Sequence, residues 1–269
     1  MSQTEQEDNN GWCFGRSTRK LNCMTGLKTT IKKAVNRLGF RIHRSPRETS
    51  GSYEEVLPRA TYAPWNEDKG FVETYEAIKD HTLVDKYRCF ELWQIASQVS
   101  KLSEGAILEV GVWRGGTGAL MAKQFALSGV QEKVYLCDTF CGVVKATSND
   151  ETYQGGEHSD TSIPVVNELM AKIGVENTEI LKGIFPDDTG EQIQDQKFRL
   201  CHIDVDVYQS AKEVNEWVWQ RMVSGGIVVY DDYGFESCDG ITKCVEEQRQ
   251  KKDRVVFHNL NGHAVVVKL

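Results

Sequence analysis

Four aspartates that follow two apolar runs are the residues whose types and spacing point most directly to chemistry. One run leads into Asp204 and Asp206, and the next leads into Asp231 and Asp232. The carboxyl ends of neighbouring parallel strands meet at one edge of a sheet, so we expect these side chains to lie together. Clustered carboxylates repel one another unless a cation neutralises them, and an all-oxygen set suits Mg²⁺ better than zinc. We therefore predict that Asp204, Asp231 and Asp232 bind Mg²⁺ or another hard divalent ion. Helix capping is the alternative, and it explains one of the four.

A glycine-rich junction is the second group of residues suited to binding. The segment 109–118 reads EVGVWRGGTG, follows an apolar run and opens a predicted helix. Glycines there allow a tight turn and a close approach of the backbone to a ligand. The pattern is not the G-x-G-x-x-G of dinucleotide enzymes, and the carboxylate of Glu109 suits an amine-bearing ligand better than a phosphate. Asp138 ends the next apolar run, where an acidic residue can accept both hydroxyls of a ribose.

An ammonium, a sulfonium and a ribose would all find partners at this junction, so we predict an S-adenosylmethionine pocket; a glycine-rich turn without a ligand is the alternative. The predicted cofactor-binding residues are Glu109, Gly111, Val112, Trp113, Gly115, Thr117, Asp138, Thr139 and Phe140. A hydroxyl is a poor nucleophile until a divalent metal lowers its pKa and orients its oxygen. The two groups of residues together predict metal-dependent transfer of a methyl group to a hydroxyl of a small molecule.

Alternating strand and helix patterns are the elements that must position these residues. Seven short apolar runs occur, at 106–110, 133–137, 178–181, 198–203, 226–230, 254–257 and 263–267. Segments long enough for crossover helices separate the first five runs, which is typical of an α/β fold with a mostly parallel sheet covered on both faces. The pair Asn261-Gly262 between the last two runs predicts an antiparallel hairpin at the sheet edge.

Charge divides the chain of 269 residues into two parts. Residues 1–50 carry ten Lys or Arg and four Asp or Glu, whereas the whole chain has a net charge of −7. Apolar residues recur at helical spacing among lysines and arginines in residues 27–42. This basic amphipathic segment is interpreted as a helix packed on protein, with membrane-surface binding as the alternative. We predict a flexible arm over residues 1–60 and a methyltransferase domain over 61–269, and the acidic domain argues against a nucleic-acid partner.

Targeting signals are not evident in the sequence. Its longest apolar runs are far shorter than the ~18 residues that span a bilayer. The first fifteen residues are polar and acidic where a secretory leader would be apolar. The eight cysteines show neither C-x-x-C nor zinc spacing. We expect a cytoplasmic protein without a transmembrane segment.

Several motifs together resemble the macrocin O-methyltransferase (TylF-type) family, and the resemblance covers roughly residues 62–269. They are Ala63-Pro64-Trp65, Thr82-Leu83-Val84, ILEVGVWRGG (107–116), DTF (138–140), HIDVDVYQSAKE (202–213) and GGIVVYDDYG (225–234). The resemblance implies a class I methyltransferase fold, a Rossmann-like sheet of seven strands whose last strand is antiparallel. It also implies S-adenosylmethionine as donor and Mg²⁺ held by Asp204, Asp231 and Asp232. Asp204 and Asp206 are then the catalytic candidates, Asp206 as a base or as a residue that orients the substrate.

The sequence departs from the family pattern in two places. Val143 and Val144 stand where the family often has Leu or Met followed by Pro after D-S/T-F-x-G, and His263 stands in the terminal strand region, where it was not expected. Residues 141–164 are interpreted as an active-site lid containing the substrate-contact candidate His158, and Tyr62–Lys69 as a second cover. His202 lies in an apolar run and is interpreted as a core residue.

The acceptor is expected to be a sugar of a natural product, and the protein a homo-oligomer. A catechol-type or other small-molecule methyltransferase is the alternative enzyme. A catalytically silent scaffold of the same fold is the non-enzyme alternative, against which the intact carboxylates argue.

Overall fold

A computed structural model describes residues 52–54, 56 and 58–269, and the basic amphipathic segment predicted at 27–42 lies outside them. Residues 58–269 belong to one compact unit. Its strands are β1 (Ala106–Val110), β2 (Val134–Asp138), β3 (Thr178–Lys182), β4 (Phe198–Ile203), β5 (Met222–Tyr230), β6 (Arg254–His258) and β7 (Ala264–Lys268). Its α-helices are α1 (Lys69–Ile78), α2 (Lys86–Val99), α3 (Gly116–Leu127), α4 (Ile163–Ile173), α5 (Tyr208–Trp219) and α6 (Asp239–Gln248).

The seven strands form one sheet in the order β3-β2-β1-β4-β5-β7-β6. The first five strands in this order run parallel, and β7 pairs antiparallel with both β5 and β6. The predicted mostly parallel sheet with an antiparallel last strand is confirmed. Strands β1 and β4 are buried along their whole length, as central strands of a parallel sheet must be. Their residues are therefore mostly apolar, which is why the apolar runs in the sequence coincide with them.

Helices cover both faces of the sheet and create two hydrophobic cores. Helices α1 to α4 pack on one face, where Ile107, Leu136 and Leu200 point. Helices α5 and α6 pack on the other face over Leu108 and Cys201. The chain therefore changes faces between β1 and β4, and such a switch point opens a crevice at the carboxyl ends of the strands. The predicted site residues follow those ends.

Local chemistry sets where the elements that flank the crevice begin. The Asp85 side chain caps α2 by accepting hydrogen bonds from the backbone N–H groups of Tyr87 and Arg88, which satisfies donors that the first helical turn leaves free. Gly115 precedes α3 with a left-handed φ of 87°, a conformation that costs glycine little. Among the described residues, none of the helices is both long and apolar enough to cross a membrane.

Candidate active site

A cavity of about 210 Å³ lies at the carboxyl ends of β1, β2, β4 and β5. The predicted residues that line it are Gly111, Val112, Trp113, Thr117, Asp138, Thr139, Asp204, Asp206, Asp231 and Asp232. Glu109, Gly115 and Phe140, also predicted as site residues, are not in its wall. The cavity thus brings the glycine-rich junction and the aspartate cluster into one space.

Asp138 organises the junction side of the cavity. Its Oδ2 accepts hydrogen bonds from the backbone N–H groups of Val112 at 2.7 Å and Trp113 at 2.9 Å, and its Oδ1 accepts one from Phe140 at 2.6 Å. The carboxylate therefore ties the β1–α3 loop to the residues after β2. Oδ2 already accepts two hydrogen bonds and Oδ1 accepts one, so one lone pair of Oδ1 remains for a hydrogen bond from a ligand in the cavity.

Glu109 occupies a different place from the one expected. It is fully buried, and its Oε1 lies 3.0 Å from Nδ1 of His202, which is also fully buried. The two residues are register partners on adjacent parallel strands, so their side chains share one face of the sheet. The structure places Glu109 beneath the cavity, where it orients His202. A contact between Glu109 and the methionine end of a donor stays a prediction that this arrangement does not favour.

Asp204, Asp231 and Asp232 come together as the sequence predicted. One carboxylate oxygen of each lies within 4.8 Å of the others. Burial and the neighbouring carboxylates raise the pKa of both Asp204 and Asp232 well above the ordinary value. Burial also opposes ionisation of Asp231, but His263 and Arg88 hold the pKa of that carboxyl at about 2. An all-oxygen set of crowded carboxyl groups fits a hard divalent cation such as Mg²⁺.

Asp231 is held on both of its oxygens by residues from other elements. The guanidinium of Arg88 on α2 donates to Oδ2 at 2.5 Å, and its Nη1 lies 3.7 Å from Asp232. Nε2 of His263 lies 2.7 Å from Oδ1 of Asp231. Sequence reasoning missed both partners. A strand alignment carries a signal for His263, because β5 and β7 pair Tyr230 with Ala264, and the next pair in that antiparallel register is Asp231 with His263.

Asp206 and Asp232 adopt backbone conformations that few residues other than glycine tolerate. Their φ angles are 63° and 61°. Strain of this kind costs of order 1–3 kcal/mol and tends to collect at functional sites. Oxygens of the two aspartates also lie within 4.8 Å of each other. Burial raises the pKa of Asp206, and the hydroxyl of Tyr153 opposes this shift. Asp206 therefore holds its proton at a higher pH than an ordinary aspartate does.

Residues 141–162 form a long connection without helix or strand beside the cavity. Tyr153 and His158 from this segment line the cavity, in the place expected for the predicted lid. The second predicted cover is placed differently, because His81–Val84 rather than Tyr62–Lys69 lines the wall. The helical turn Pro64–Asn66 instead packs Trp65 against Tyr87, with ring centroids 5.0 Å apart.

The fold and the site define a class I O-methyltransferase. Residues 53–262 match the family model described as macrocin-O-methyltransferase (TylF), and the chain belongs to this family. The predicted resemblance and the predicted enzyme class are thereby confirmed.

Named relatives are similar over part of their length. The chain is 26% identical over 192 residues to the mycinamicin III 3''-O-methyltransferase of Micromonospora griseorubida, covering 66% of this chain and 74% of that protein. It is 27% identical over 169 residues to the 8-demethyl-8-(2,3-dimethoxy-alpha-L-rhamnosyl)-tetracenomycin-C 4'-O-methyltransferase of Streptomyces olivaceus, covering 59% and 64% respectively. The second alignment thus spans slightly less than two thirds of that relative.

Solved structures share the fold. The O-methyltransferase NovP superimposes with a TM-score of 0.61 at 22% identity, covering 70% of this chain and 81% of NovP. The calicheamicin methyltransferase CalS11 superimposes with the same TM-score at 14% identity, covering 98% of this chain and 99% of CalS11. At these identities the two structures support the architecture alone.

Proposed function

We propose that this protein transfers a methyl group from S-adenosylmethionine to a hydroxyl group on a sugar of a natural product, with Mg²⁺ as cofactor. The observation that carries the proposal is one cavity lined both by Asp138 with its glycine-rich loop and by the cluster of Asp204, Asp231 and Asp232. The relative from Streptomyces olivaceus supports the acceptor class, because its name describes 4'-O-methylation of a rhamnosyl-tetracenomycin.

The junction side of the cavity fits the donor. Asp138 has one lone pair left for a ribose hydroxyl, and apolar side chains of Val112, Ile184 and Phe185 line the same wall. A nucleoside complements this wall, because it has ribose hydroxyl donors and an aromatic base. S-adenosylmethionine, when bound, supplies an electrophilic methyl group on a sulfonium. The backbone hydrogen bonds from Val112 and Trp113 to Asp138 fix the loop before any donor arrives.

The carboxylate side of the cavity fits the metal and the acceptor. Asp204, Asp231 and Asp232 would hold Mg²⁺, which supplies a Lewis acid that lowers the pKa of an acceptor hydroxyl. Asp206 lies beside this cluster and is proposed as the general base that receives the hydroxyl proton. Its raised pKa suits this role, because a base accepts a proton more readily when its pKa approaches the working pH.

Methyl transfer from labelled S-adenosylmethionine tests the proposal. The purified protein is assayed with glycosylated natural products, free sugars and catechols, in Mg²⁺ and in EDTA. Metal-dependent labelling of a glycoside supports the proposal, and labelling of catechols alone favours the catechol-type alternative. Full activity in excess EDTA would contradict the role of the metal. Cytoplasmic location and assembly as a homo-oligomer remain predictions from the sequence.

A further inference from the structure

The terminal hairpin delivers a buried histidine to the metal side of the cavity. Strands β5 and β7 pair antiparallel with Tyr230 opposite Ala264. Asp231 follows the end of β5 and His263 precedes the start of β7, so the same register sets these two residues side by side. His263 is 0% exposed, although it stands next to the β6–β7 turn. Burial of a polar ring at this point calls for partners on both nitrogens.

Both ring nitrogens of His263 meet carboxylates. Nε2 lies 2.7 Å from Oδ1 of Asp231, and Nδ1 lies 2.6 Å from Oε2 of Glu91 on α2. Asn259 in the β6–β7 turn also donates from its side chain to Glu91, and its Oδ1 accepts the backbone N–H of His263. Glu91 on α2 and Asn259 in the β6–β7 turn thus hold His263 on its Nδ1 side, and the Nε2 side of the ring contacts Asp231.

We propose that His263 is a positioning residue that holds the Asp231 carboxylate in its metal-binding orientation, with Glu91 fixing the ring. The guanidinium of Arg88 already restrains Oδ2 of Asp231, so the contact from His263 to Oδ1 leaves that carboxylate little freedom to rotate. Partners behind a ligand of this kind typically change metal affinity 10–100-fold. The inference rests on the proposed function, because it requires a metal at these carboxylates.

Two variants of His263 separate positioning from simple packing. The side-chain nitrogen of asparagine matches Nδ1 and keeps the contact to Glu91, whereas that of glutamine matches Nε2 and keeps the contact to Asp231. Calorimetric titration with Mg²⁺ and with Mn²⁺, without donor or acceptor, measures affinity. We expect His263→Asn to weaken metal binding at least about tenfold, and His263→Gln to stay within about threefold of wild type. Equal losses in the two variants would overturn the proposal.

Controls keep this result distinct from failure of the proposed function. Wild type that binds neither ion refutes the metal site itself, and Asp231→Asn must abolish binding if that site exists. The melting temperature without metal reports folding. If both His263 variants unfold, Glu91→Gln decides, because Glu91 is partly exposed and contacts the ring of His263 rather than Asp231 itself. We expect the metal affinity of this variant to fall about threefold or more, and unchanged affinity overturns the proposal.

A second metal ion is the competing explanation. One ring nitrogen of His202, one ring nitrogen of His263 and one carboxylate oxygen of Asp231 lie within 4.8 Å of one another. Elemental analysis of the purified protein separates the two explanations. Zinc that survives EDTA in wild type and is absent from His263→Gln would make His263 a ligand, and would overturn its role as a positioning residue.

Discussion

Hydrogen bonds to one carboxylate hold the loop on the side of the cavity that contains the glycine-rich junction. Asp138 accepts three backbone N–H groups through two oxygens, which only a carboxylate can do at this density. Asp138 therefore lines the cavity and also stabilises the loop that contains Val112 and Trp113. Loss of either function would weaken binding of the proposed donor.

Asp138→Asn is expected to weaken S-adenosylhomocysteine binding by about tenfold or more. The amide keeps one acceptor oxygen, so at least one backbone donor loses its partner, and hydrogen bonds to charged groups contribute about 1.5–3 kcal/mol. Isothermal titration calorimetry measures the change. Asp195→Asn, which alters an exposed carboxylate outside the cavity, serves as the matched control. An unchanged dissociation constant in Asp138→Asn would remove Asp138 from the donor site.

Removing the charge of Asp206 and removing the charge of Asp231 are expected to have different effects on metal affinity and on kcat. Asp206→Asn should leave the Mg²⁺ dissociation constant within about twofold and lower kcat by about 100-fold or more, the usual contribution of a general base. Asp231→Asn should lose metal affinity and turnover together. Calorimetry and initial rates at saturating donor separate the two patterns. Parallel loss of metal affinity in Asp206→Asn would make Asp206 a ligand instead.

Residue-level chemistry was only partly visible in the sequence. The aspartates could be predicted because each of these strands is an apolar run in the sequence that stops at an acidic residue. The roles of Arg88 and His263 were not predicted, because they depend on which helix and which turn lie over β5. No local sequence pattern specifies those tertiary contacts. Glu109 was expected in the pocket because it precedes the glycines, yet pairing with His202 on the neighbouring strand turns it inward.

The connection between β2 and α4 owes its shape to close backbone contacts. Gly142 has a φ of 90°, and a Cβ at this position would lie 2.3 Å from the carbonyl oxygen of Glu157. Backbone hydrogen bonds join Val143 to Glu157 and Gly156 to Val143. Val143 and His158 then reach the cavity wall. These backbone contacts hold the two ends of the loop together, and both ends form part of the cavity wall.

Gly142→Ala is expected to lower kcat/KM by about tenfold, because the new methyl group must push the two ends of the loop apart. Gly129→Ala is the matched control, since it also has a positive φ of 75° but nothing within 4 Å of a new Cβ. That control should lose only the conformational cost of about 1–2 kcal/mol in stability. Steady-state kinetics and thermal melting measure both effects. Equal kinetic loss in the two variants would show that strain, and not the wall, matters.

Elements were more predictable than their contacts. The apolar runs at 106–110 and 198–203 coincide with β1 and β4, because buried parallel strands leave an unbroken apolar signature. The run at 226–230 missed the first four residues of β5, which begins at Met222, because Ser224 and Gly225 interrupt the pattern. The segment Tyr62–Lys69 was expected over the cavity because prolines mark a linker, but prolines do not indicate what a linker covers.

At the scale of the molecule, the carboxylate cluster couples metal, pH and stability. Asp204 and Asp232 have raised pKa values in the folded protein. Between the ordinary pKa of 3.8 and the raised value, the folded state binds more protons than the unfolded chain. Stability must therefore fall as the pH rises through this window. Binding of the proposed metal to the folded state would oppose that loss by mass action.

Without metal, Asp204→Asn is expected to melt at a higher temperature than wild type, by a margin that grows as the pH rises above the ordinary aspartate pKa of 3.8. The variant has no charge to bury at position 204, whereas His263, whose pKa is raised by Asp231 and Glu91 despite burial, is common to both proteins. Each 1 kcal/mol corresponds to about 2–4 °C in a domain of this size. Scanning calorimetry in EDTA measures the margin.

Saturating Mg²⁺ should reverse this order. At a concentration of about 100 times the dissociation constant, the ion stabilises the folded state by about 2.7 kcal/mol, so wild type should melt about 5–10 °C higher than in EDTA. Asp204→Asn lacks a ligand and should gain little. Asp195→Asn should follow wild type in both buffers. Melting curves of wild type and Asp204→Asn that stay parallel across the pH range, with or without Mg²⁺, would mean that these carboxylates neither repel one another in the folded protein nor bind the ion.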